Sequence, residues 1–464
     1  MVQRNRRLAS VIGLVCALFL SSCGDQSVAY KKPVFGFLSK YTEAQDSTPV
    51  LLSNAEWWQG LNDPALNQLI ALALQDNLSL ELAHERVVAA LAARDGVPGK
   101  AILTPSAQIE ASNSNTTDSR IVASSQLGLS WMLDPYGARR NEIRAASARI
   151  QVAQAEVEAA RLLVLFNTAN AYVSLRHAQQ TLAQRRDELA RRQSTLNLTR
   201  HLQDAESSTA LEVIRSRARV LEIRSQLPAL DASITAGLNE LTVLTGRVPG
   251  TLPRDLDSML RSPAGQPAPR LSPDVGIPTD LLRNRPDIQI AERSYYAAVA
   301  EVGIARAGLY PRLSLSGAIT LNALGGRQSA GEYYFGPTVA LPSIPLKPAR
   351  EAVKARNSAV RQAYTVWKTT VLNAILEVEN SLVAYEAANT SLASAQGARS
   401  LYSETLALTR KVFKSGEATL GNLIDAEEAL AQSDRNLTDL RMQYALRFIA
   451  LNVRLGSGHQ SNVR

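Results

Sequence analysis

The feature that most constrains this chain is an internal repeat. Leu198-Thr199-Arg200 recurs as Leu408-Thr409-Arg410, an offset of 210 residues. The same offset aligns further identical residues: Arg140 with Arg350, Ala145 with Ala355, Asn170 with Asn380, Thr209 with Thr419, Ile214 with Ile424, Leu241 with Leu451, Val243 with Val453 and Gly246 with Gly456. A constant offset over such a length indicates a tandem duplication, with one copy ending near Gly246 and the other near Gly456.

Each copy is predicted to form a long helical hairpin. No proline occurs between Pro135 and Pro228, and the first arm, roughly residues 141–203, would be about 90 Å long at about 1.5 Å per residue. The return arm repeats apolar residues every seven positions, which keeps one seam facing a partner helix and imposes supercoiling. These positions are Val213, Val220, Leu227, Ile234 and Leu241 in one copy and Leu423, Leu430, Leu437, Tyr444 and Leu451 in the other. We expect Pro228 to kink this arm or to mark a junction between stacked helices, because it removes a backbone hydrogen bond.

A pattern of period two precedes each hairpin and predicts β-strands. In the second copy, apolar residues in 313–323 alternate with small or polar ones, and residues 335–341 alternate in the same way. Residues 325–331, which are rich in Gly, are predicted to be the loop between these strands. The first copy alternates over 107–111 and 127–133, on either side of a polar loop. Segments of about ten alternating residues are typical of membrane barrels.

Aromatic residues are expected near the ends of these strands, at the level where a membrane meets water. They are Trp131, Tyr310, Tyr333, Tyr334 and Phe335. Four strands in lipid cannot close a barrel, because their edges would expose unpaired backbone groups. Several chains would have to pool their strands, and three chains would supply twelve. A soluble coiled coil is the alternative for the helices, and an amphipathic soluble sheet is the alternative for the strands.

The first residues are predicted to be a secretory signal that ends in a lipid-attachment site. Arg4, Arg6 and Arg7 precede an apolar segment, residues 8–20, that is too short to span a membrane comfortably. The run Leu20-Ser21-Ser22-Cys23 resembles a lipobox, which implies that Cys23 becomes the first mature residue and carries acyl chains. A plain signal peptide followed by a chance cysteine is the alternative.

Composition argues against several other classes of protein. The only cysteines are Cys16 and Cys23, so no internal disulfide is expected in a mature chain. No later stretch has about 18 uninterrupted apolar residues, so no transmembrane helix is expected. The formal net charge is +8, or near +5 without the three N-terminal arginines, and it is spread along helices, which does not favour nucleic-acid binding.

Catalysis is not expected either. The four histidines lie without metal-ligand spacing, at His84, His177, His201 and His459. The sequence has no Gly-rich phosphate loop between a strand and a helix, and no nucleophile elbow. We therefore expect no enzyme activity, no cofactor and no metal site.

Three groups of motifs are longer and more specific. The first is Trp57-Trp58 and Leu61-Asn62-Asp63-Pro64-Ala65-Leu66, followed by Ala73, Asn77 and Leu78. The second is Trp131-Met132-Leu133-Asp134-Pro135-Tyr136-Gly137. The third is Ile277-Pro278-Thr279-Asp280-Leu281-Leu282-Arg283-Asn284-Arg285-Pro286-Asp287-Ile288, followed by Ala291-Glu292-Arg293 and Ala305-Arg306-Ala307-Gly308-Leu309-Tyr310-Pro311. Together they resemble the outer-membrane efflux factor family, of the TolC/OprM/NodT type, over nearly the whole mature chain.

The resemblance implies a mainly α fold with membrane β-strands. Its parts would be a trimeric outer-membrane β-barrel with four strands per chain, continued by a long α-helical periplasmic barrel and built from the tandem repeat. The expected divisions are a signal peptide (1–22), a lipidated N-terminal extension (23–60), a first repeat (61–250), a linker (251–275) and a second repeat (276–464). Strands are expected at about 102–134 and 311–346, and helical hairpins at about 138–246 and 349–456.

The same resemblance implies that the turns between long helices form the periplasmic tips. The family has an aromatic residue there, then two residues and a Gly. Phe413 and Gly416 match this motif, and Thr419 follows in the same turn. Gly416, Phe413 and Thr419 are therefore the residues expected to form a hairpin tip that contacts a periplasmic adaptor.

Acidic residues follow that turn in the family and close the aperture. Asp425 matches, whereas Asn422 stands where the family often has Asp. In the first copy Glu212 holds an acidic position and Arg215 replaces the other. Asp425, Asn422, Glu212 and Arg215 are therefore the expected aperture or gate residues, although an exposed Asp on a helix is also commonly just solvated. Rings of charge around a pore can set selectivity and gating.

Together with these features, the resemblance implies a channel subunit of a tripartite efflux or export system. It would conduct substrates passively from the periplasm to the exterior, through a gate that opens when the hairpins loosen like an iris. The expected partners are two further copies of the chain, outer-membrane lipid, a periplasmic adaptor (membrane fusion) protein and an inner-membrane transporter of the RND type. The alternative is a lipoprotein that spans the periplasm as a structural element or adaptor and does not conduct.

Overall fold

The computed structural model describes residues 27–38, 40–42, 56–112, 120–269, 277–324 and 327–458. Cys23 and the expected signal peptide lie outside these residues, as do parts of the expected extension and linker. Within the described chain the order of elements repeats. Helices lead into two strands, and a very long helix is followed by a shorter return helix.

The helices and strands of the two copies correspond closely. The first copy has α1 (Pro64–Asp76), α2 (Leu78–Asp95), β1 (Ala101–Ser112), β2 (Arg120–Leu133), α3 (Ala138–Asp204) and α4 (Ala210–Leu244), and α5 (Arg254–Arg261) follows. The second has α6 (Leu281–Asn284), α7 (Pro286–Ala307), β3 (Arg312–Leu324), β4 (Arg327–Ala340), α8 (Lys347–Lys414) and α9 (Leu420–Arg454). The long helices have 67 and 68 residues, and both return helices have 35. The predicted tandem repeat and mainly α fold with four strands are confirmed.

The four strands form one antiparallel sheet in chain order. Leu127 of β2 lies opposite Pro105 of β1 and Ile319 of β3, and Ile319 lies opposite Tyr333 of β4. Opposed residues on neighbouring strands point to the same face of a sheet, so this register separates two faces.

We call these the apolar face and the polar face. The apolar face includes Leu103, Pro105, Ile109, Leu127, Leu129, Trp131, Leu133, Leu313, Leu315, Ile319, Leu321, Tyr333, Phe335, Pro337 and Val339. The polar face includes Thr104, Ser106, Gln108, Glu110, Ser124, Gln126, Ser130, Ser314, Ser316, Thr320, Asn322, Glu332 and Thr338, with Ile102, Met132 and Tyr334 as its large apolar members. The separation is the one that the alternating pattern predicts.

The start of β4 differs from the sequence-based prediction. Residues 325–331 were expected to form a loop, but the strand begins at Arg327 and pairs with β3 from there. Small residues can pair through their backbone groups alone, so composition concealed these strand positions. As a result, Tyr333, Tyr334 and Phe335 lie in the middle of β4, and their predicted placement at a strand end is wrong.

The return helix of the first copy is continuous through Pro228. Of the two predicted alternatives, a kink or a junction between stacked helices, the junction is wrong, because α4 runs without a break from Ala210 to Leu244, and the kink stays a prediction. Pro228 is exposed. The carbonyl group that loses its partner thus lies on the open side of the helix, where water can replace the missing N–H.

The described chain divides into two compact units. The first consists of the described residues of Met1–Phe35, Arg86–Gln154 and Ile290–Thr369, and it contains the sheet. The second consists of the described residues of Gly36–Glu85, Ala155–Gln289 and Thr370–Arg464, and it contains both turns that join a long helix to its return helix.

The core of the second unit combines residues from both copies. Its largest buried members are Trp57, Trp58, Leu66, Leu69, Ile70, Leu165, Tyr172, Leu175, Leu241, Leu256, Leu260, Phe448 and Ile449. Asp63 holds the start of α1 by accepting from the N–H groups of Ala65 (3.0 Å) and Leu66 (3.2 Å). Tyr172 Oη donates to the same carboxylate at 2.5 Å. This bond ties a specific motif residue of the first copy to α3.

Candidate functional site at the two helical tips

The second tip, residues 415–419, is the turn between α8 and α9. Gly416 has a φ of 84°, in the left-handed region that glycine adopts without strain. Its N–H donates to Phe413 O at 3.1 Å, and the Glu417 N–H donates to Val412 O at 3.1 Å. These two bonds satisfy carbonyl groups that the end of a helix would otherwise leave unpaired.

The first tip, residues 205–209, has the same turn between α3 and α4. The N–H of Glu206 donates to Gln203 O at 2.9 Å, and that of Ser207 to Leu202 O at 2.8 Å. Glu206 has a φ of 58°, so a glutamate here adopts the conformation that Gly416 has in the second tip. The two tips therefore share a backbone and differ in how much strain it carries.

Both return helices begin with a capping box. The Glu212 N–H donates to Thr209 Oγ1 (3.3 Å), and the Thr209 N–H donates to Glu212 Oε2 (3.1 Å). In the second copy the Asn422 N–H donates to Thr419 Oγ1 (3.2 Å), and the Thr419 N–H donates to Asn422 Oδ1 (3.0 Å). These reciprocal bonds satisfy two N–H groups at each helix start. Glu212 and Asn422 thus have the same structural task at positions 210 residues apart.

The charge on Glu212 is stabilised by this arrangement. Ser208 Oγ donates to Glu212 Oε2 at 2.6 Å. That bond, and then the bond from the Thr209 N–H, hold the pKa of Glu212 below its ordinary value, and the positive charge of Arg215 adds to the effect. A carboxylate that accepts hydrogen bonds is favoured in its charged form. Asn422, which cannot ionise, has no equivalent behaviour.

The other two predicted aperture residues are open to solvent. Asp425 and Arg215 are exposed and occupy equivalent positions in the two copies. Arg215 lies three residues after Glu212, and Asp425 lies three residues after Asn422. Each exposed charge is therefore about one turn further along the same side of its helix. Asp425 makes no hydrogen bond or ion pair with any described residue. The four predicted gate residues therefore divide into two caps and two exposed charges of opposite sign.

Phe413 is half-buried and supports the second tip from within. Its ring packs against the apolar cluster formed by Leu406, Leu420, Leu423, Ala426 and Leu430. Gly416 and Thr419 are exposed. Of the three predicted tip residues, these two face solvent, whereas Phe413 joins α8 to α9.

The most specific sequence motif has a structural role that the sequence did not reveal. Arg285 is buried, and its guanidinium forms ion pairs with Asp287 (2.7 Å) and Glu377 of α8 (2.9 Å). It also donates to Arg454 O at the end of α9 at 3.1 Å. Burial opposes the charge of Arg285, but the hydrogen bonds and charges of its two acidic partners outweigh burial and raise its pKa. Arg285 thus joins the motif to both arms of the second hairpin.

Asn77 has the corresponding position in the first copy. Its Nδ2 donates to Leu244 O at the end of α4 at 2.7 Å. Its Oδ1 accepts from the Ser79 N–H at 2.9 Å, at the start of α2. A neutral amide therefore holds the end of the first return helix, and a charged guanidinium holds the end of the second.

Two glycines make these helix ends possible. Gly246 and Gly456 have φ values of 69° and 78°. A Cβ atom on Gly246 would lie 2.1 Å from Asp76 O, and one on Gly456 would lie 2.4 Å from Asn284 O. Both distances are far inside van der Waals contact, so no other residue fits without a backbone shift.

The motif from Trp131 to Gly137 forms the passage from β2 to α3. Asp134 accepts from the N–H groups of Arg139 (3.3 Å) and Arg140 (3.0 Å), which secures the first turn of α3. Tyr136 stacks on Tyr310 of the second copy, with ring centroids 4.5 Å apart and planes 16° from parallel. Both tyrosines come from motifs that carry the family resemblance.

No group of three or more His, Cys, Asp or Glu in the described part of the chain is arranged to hold a metal ion. None of the described helices is long and apolar enough to cross a membrane.

The sequence profile described as "Outer membrane efflux protein" matches residues 69–247 and 277–457, once for each copy. The chain belongs to the outer membrane efflux protein family. Nodulation protein T of Rhizobium leguminosarum bv. viciae is 31% identical over 454 residues, which cover 96% of this chain and 92% of the relative. Pyoverdine export outer membrane protein OpmQ of Pseudomonas aeruginosa is 27% identical over 433 residues, which cover 88% of each chain. The solved structure of the outer-membrane channel OprN has a TM-score of 0.82 at 27% identity, covering 93% of this chain and 98% of that one.

The outer membrane efflux protein described here is thus a channel component of the outer membrane, as predicted. The relatives above are an export protein, a nodulation protein and a channel by name, and none is named as an enzyme. Both profile matches extend across a tip and end next to Gly246 or Gly456.

Proposed function

We propose that three copies of this chain pool their sheets into one closed barrel in the outer membrane, and that their long helices continue it as a periplasmic duct for efflux. The observation that carries this proposal is the sheet. Its two outer strands, β1 and β4, each pair on one side only within the described chain. Most side chains of its apolar face are exposed.

Lipid is the environment that suits the apolar face, provided that the two outer strands pair with strands of other copies. Leu103, Leu127, Ile319 and Phe335 are 64%, 45%, 54% and 63% exposed on the apolar face. An exposed apolar surface of this extent is unfavourable in water and favourable against acyl chains. Open edges are not tolerated in lipid, so the strands must pair with those of other copies. The polar face then lines a water-filled lumen.

The proposed number of copies rests on the number of strands that a barrel with a lumen needs and on the family resemblance. The smallest bacterial outer-membrane barrels have about eight strands, and their strand number is even. Two copies would give a barrel of eight strands, which leaves little room inside. Three copies give twelve and provide a lumen, in line with the trimer that the family resemblance implies.

Transport through such a duct is passive, so the energy must enter elsewhere. OpmQ is named for pyoverdine export, and another relative, SepC of Pseudomonas putida, is named a probable efflux pump outer membrane protein. By analogy this chain works with a periplasmic adaptor and an inner-membrane transporter of the RND type. The exposed Gly416 and Thr419 of the second tip are the proposed adaptor contacts, and Phe413 keeps that tip in shape.

The tips are also the proposed gate. Three-fold symmetry would place three Asp425 and three Arg215 side chains around the aperture, so charges of both signs would face the pore. Glu212 and Asn422 would act by fixing the first turns of the return helices. We expect Asp425→Ala to reduce the preference for cations in single-channel recordings, because it leaves only the arginines. Equal ion selectivity in the variant and the parent protein would remove Asp425 from the aperture.

Cys23 is the proposed lipid anchor. Mass spectrometry of the N-terminal peptide should detect acyl chains on this residue, and Cys23→Ser should abolish the signal. A free N-terminal cysteine, or cleavage at another residue, would contradict the assignment.

Neighbouring positions of β2 allow a sharp test of the sheet. Leu127 lies in mid-strand on the apolar face, and Gln126 lies beside it on the polar face. Leu127→Arg should sharply reduce the amount of trimer in outer membranes, because an arginine facing the middle of the bilayer costs about 2–4 kcal/mol. Gln126→Arg should insert normally and alter conductance, because its side chain faces the lumen.

The measurements are the detergent-corrected molar mass and the conductance in planar bilayers. The parent protein should have the mass of three chains and form channels. A non-conducting structural lipoprotein would show no conductance. A sheet that packs against protein would tolerate neither arginine, and a sheet exposed to water would tolerate both.

A further inference from the structure

The second unit contains buried charges that neither the core nor the capping turns explain. Glu188, Arg192 and Glu427 are 6%, 4% and 6% exposed. Charged side chains at this depth are uncommon and require partners. Glu188 and Arg192 lie on α3 of the first copy, and Glu427 lies on α9 of the second. Ion pairs between these helices therefore join the two copies.

Glu427 is the residue at which three helices meet. Its carboxylate accepts from Arg410 Nη2 of α8 at 3.2 Å and from Thr195 Oγ1 of α3 at 3.2 Å. It also lies 3.6 Å from Arg192 Nη1 of α3. One buried carboxylate therefore joins both arms of the second hairpin to the long helix of the first.

The pairing continues along the same helices with alternating sign. Arg192 also pairs with Glu428, and Arg435 lies 3.4 Å from both Glu428 and Glu188. Arg185 completes the series at 2.9 Å from Glu188. Buried ion pairs contribute little net stability because desolvation offsets the attraction, but they can favour one register of packed helices over others.

The position of Glu427 connects this arrangement to the second tip. Glu427 is seven residues beyond the start of α9, and Arg410 is six residues before Gly416. At about 1.5 Å per residue, both lie about 10 Å from the turn. A shift of the tip away from α3 must therefore separate Glu427 from Arg192.

The first copy has no counterpart of this carboxylate. The residues 210 positions before Glu427 and Arg410 are Arg217 and Arg200, and both are exposed. The residue 210 positions after Arg192 is Tyr402, which is 44% exposed. The two hairpins are thus held differently: the return helix α4 has no charged residue among its buried positions, whereas the return helix α9 has Glu427.

We propose that Glu427 is a positioning residue that holds the second hairpin against α3, and so keeps the tip in its resting place. The proposal builds on the proposed channel function by naming the contact that must open when the aperture widens. Loss of the carboxylate leaves Arg192 buried beside Arg410 without a counter-charge. The two helices then separate far enough for water to reach the arginine.

The test compares Glu427→Gln with Glu404→Gln. The control removes a carboxylate from an exposed site on α8. Glu404 lies twelve residues before Gly416 and Glu427 lies eleven residues after it, so the two are at nearly the same distance from the turn. Amide hydrogen exchange of detergent-solubilised protein should be at least about tenfold faster at the second tip in Glu427→Gln, with no change at the first tip. Glu404→Gln should match the parent protein.

Glu427→Asp separates positioning from simple packing. It retains the charge and should restore slow exchange at the second tip, although it makes the side chain smaller. If Glu427→Gln does not fold, Thr195→Val provides a second test, because it removes a hydrogen bond between the carboxylate and α3 and keeps the size of the side chain. Unchanged exchange at the second tip in a folded variant, or equal effects of Glu427→Gln and Glu404→Gln, would overturn the proposal.

Conductance distinguishes this proposal from the proposed function. Glu427→Gln should increase the open fraction of single channels at least about tenfold. If the parent protein forms no channels, the channel function fails, while the exchange measurement still decides whether Glu427 holds the tip. If the parent conducts and Glu427→Gln opens no more often, Glu427 does not restrain the gate.

Discussion

The first and second hairpins have nearly the same backbone and different side-chain chemistry. Their tips have the same turn, with a left-handed residue in the same place. That residue is Glu206 in one tip and Gly416 in the other. The capping boxes also coincide, with a carboxylate in the first and an amide in the second.

The opposite ends of the return helices follow the same rule. Gly246 and Gly456 are identical because a carbonyl oxygen occupies the space next to each. The residues that hold these ends, Asn77 and Arg285, differ in charge and in the number of partners. The comparison shows that the two copies agree where the backbone leaves no choice. They differ where side chains of different kinds can make the same cap or hold the same helix end.

The largest effect should come from the feature that the copies share. Gly246→Ala and Gly456→Ala each place a methyl group within 2.1–2.4 Å of a backbone oxygen, at a positive φ. Each should lower the free energy of unfolding by at least about 3 kcal/mol, or prevent assembly, because backbone on both sides must shift. The measurement is the unfolding temperature of the detergent-solubilised protein from its helical circular dichroism. Gly397→Ala, at a site with open space, is the control and should be neutral or slightly stabilising. A mild effect in one copy only would show that its helix end can relax.

The next effect should differ between the copies. Arg285→Met removes two ion pairs and a bond to Arg454 O, which we expect to cost about 2 kcal/mol. Asn77→Ala removes a helix cap and one bond to Leu244 O and should cost about 1 kcal/mol. The unfolding temperature again provides the measurement. If Asn77→Ala lowered the unfolding temperature more than Arg285→Met, the guanidinium would stabilise its helix end less than the amide does, contrary to the number of its contacts.

Sequence periodicity was sufficient to predict much of this fold. The constant offset predicted the repeat, the long stretch without proline predicted helices of unusual length, and alternation predicted a sheet with two faces. Each signal is local and repeats many times, so single exceptions do not conceal it. The start of β4 at Arg327 was missed because small residues pair through backbone alone, and the continuity of α4 was missed because Pro228 lies on an exposed side.

The roles of the tip residues were harder to predict. The spacing of Thr209 and Glu212 is that of a capping box and could have been recognised in the sequence. Family resemblance instead drew attention to the carboxylate as part of a gate. The contact of Arg192 with Glu427 could not be predicted, because the two residues are far apart in sequence and only the folded helices bring them together.

A smaller pair of effects should have opposite signs at the two tips. Gly416→Ala forces a side chain into the left-handed region and should cost about 1 kcal/mol, whereas Glu206→Gly should relieve a similar strain in the first tip. Both sites are exposed, so packing does not complicate the comparison. Local hydrogen exchange at each tip is the measurement, since a global unfolding temperature would average the two. Faster exchange in Glu206→Gly would mean that the glutamate side chain stabilises its tip by more than the backbone strain costs.

The smallest predicted effect is a response to acid of the capping box at the first tip. Hydrogen bonds from Ser208 and Thr209 hold the pKa of Glu212 below its ordinary value in the folded protein. A group whose pKa is lowered by folding stabilises the folded protein at pH values above its unfolded pKa, which is about 4.3 for Glu. That stabilisation is lost as the pH falls through the folded pKa. Asn422 does not titrate, so the cap of the second tip should keep its strength over the same range. Amide exchange at the first tip, corrected for its intrinsic pH dependence, should therefore become faster in the parent protein than in Glu212→Gln when the pH falls from about 6 to about 3.5. Glu212→Gln supplies the matched control, because the amide can still accept from Thr209 but has no proton to gain at this pH. If acid loosens the first tip of Glu212→Gln as much as that of the parent protein, other carboxylates control the response and the cap of the first tip has no consequence for pH.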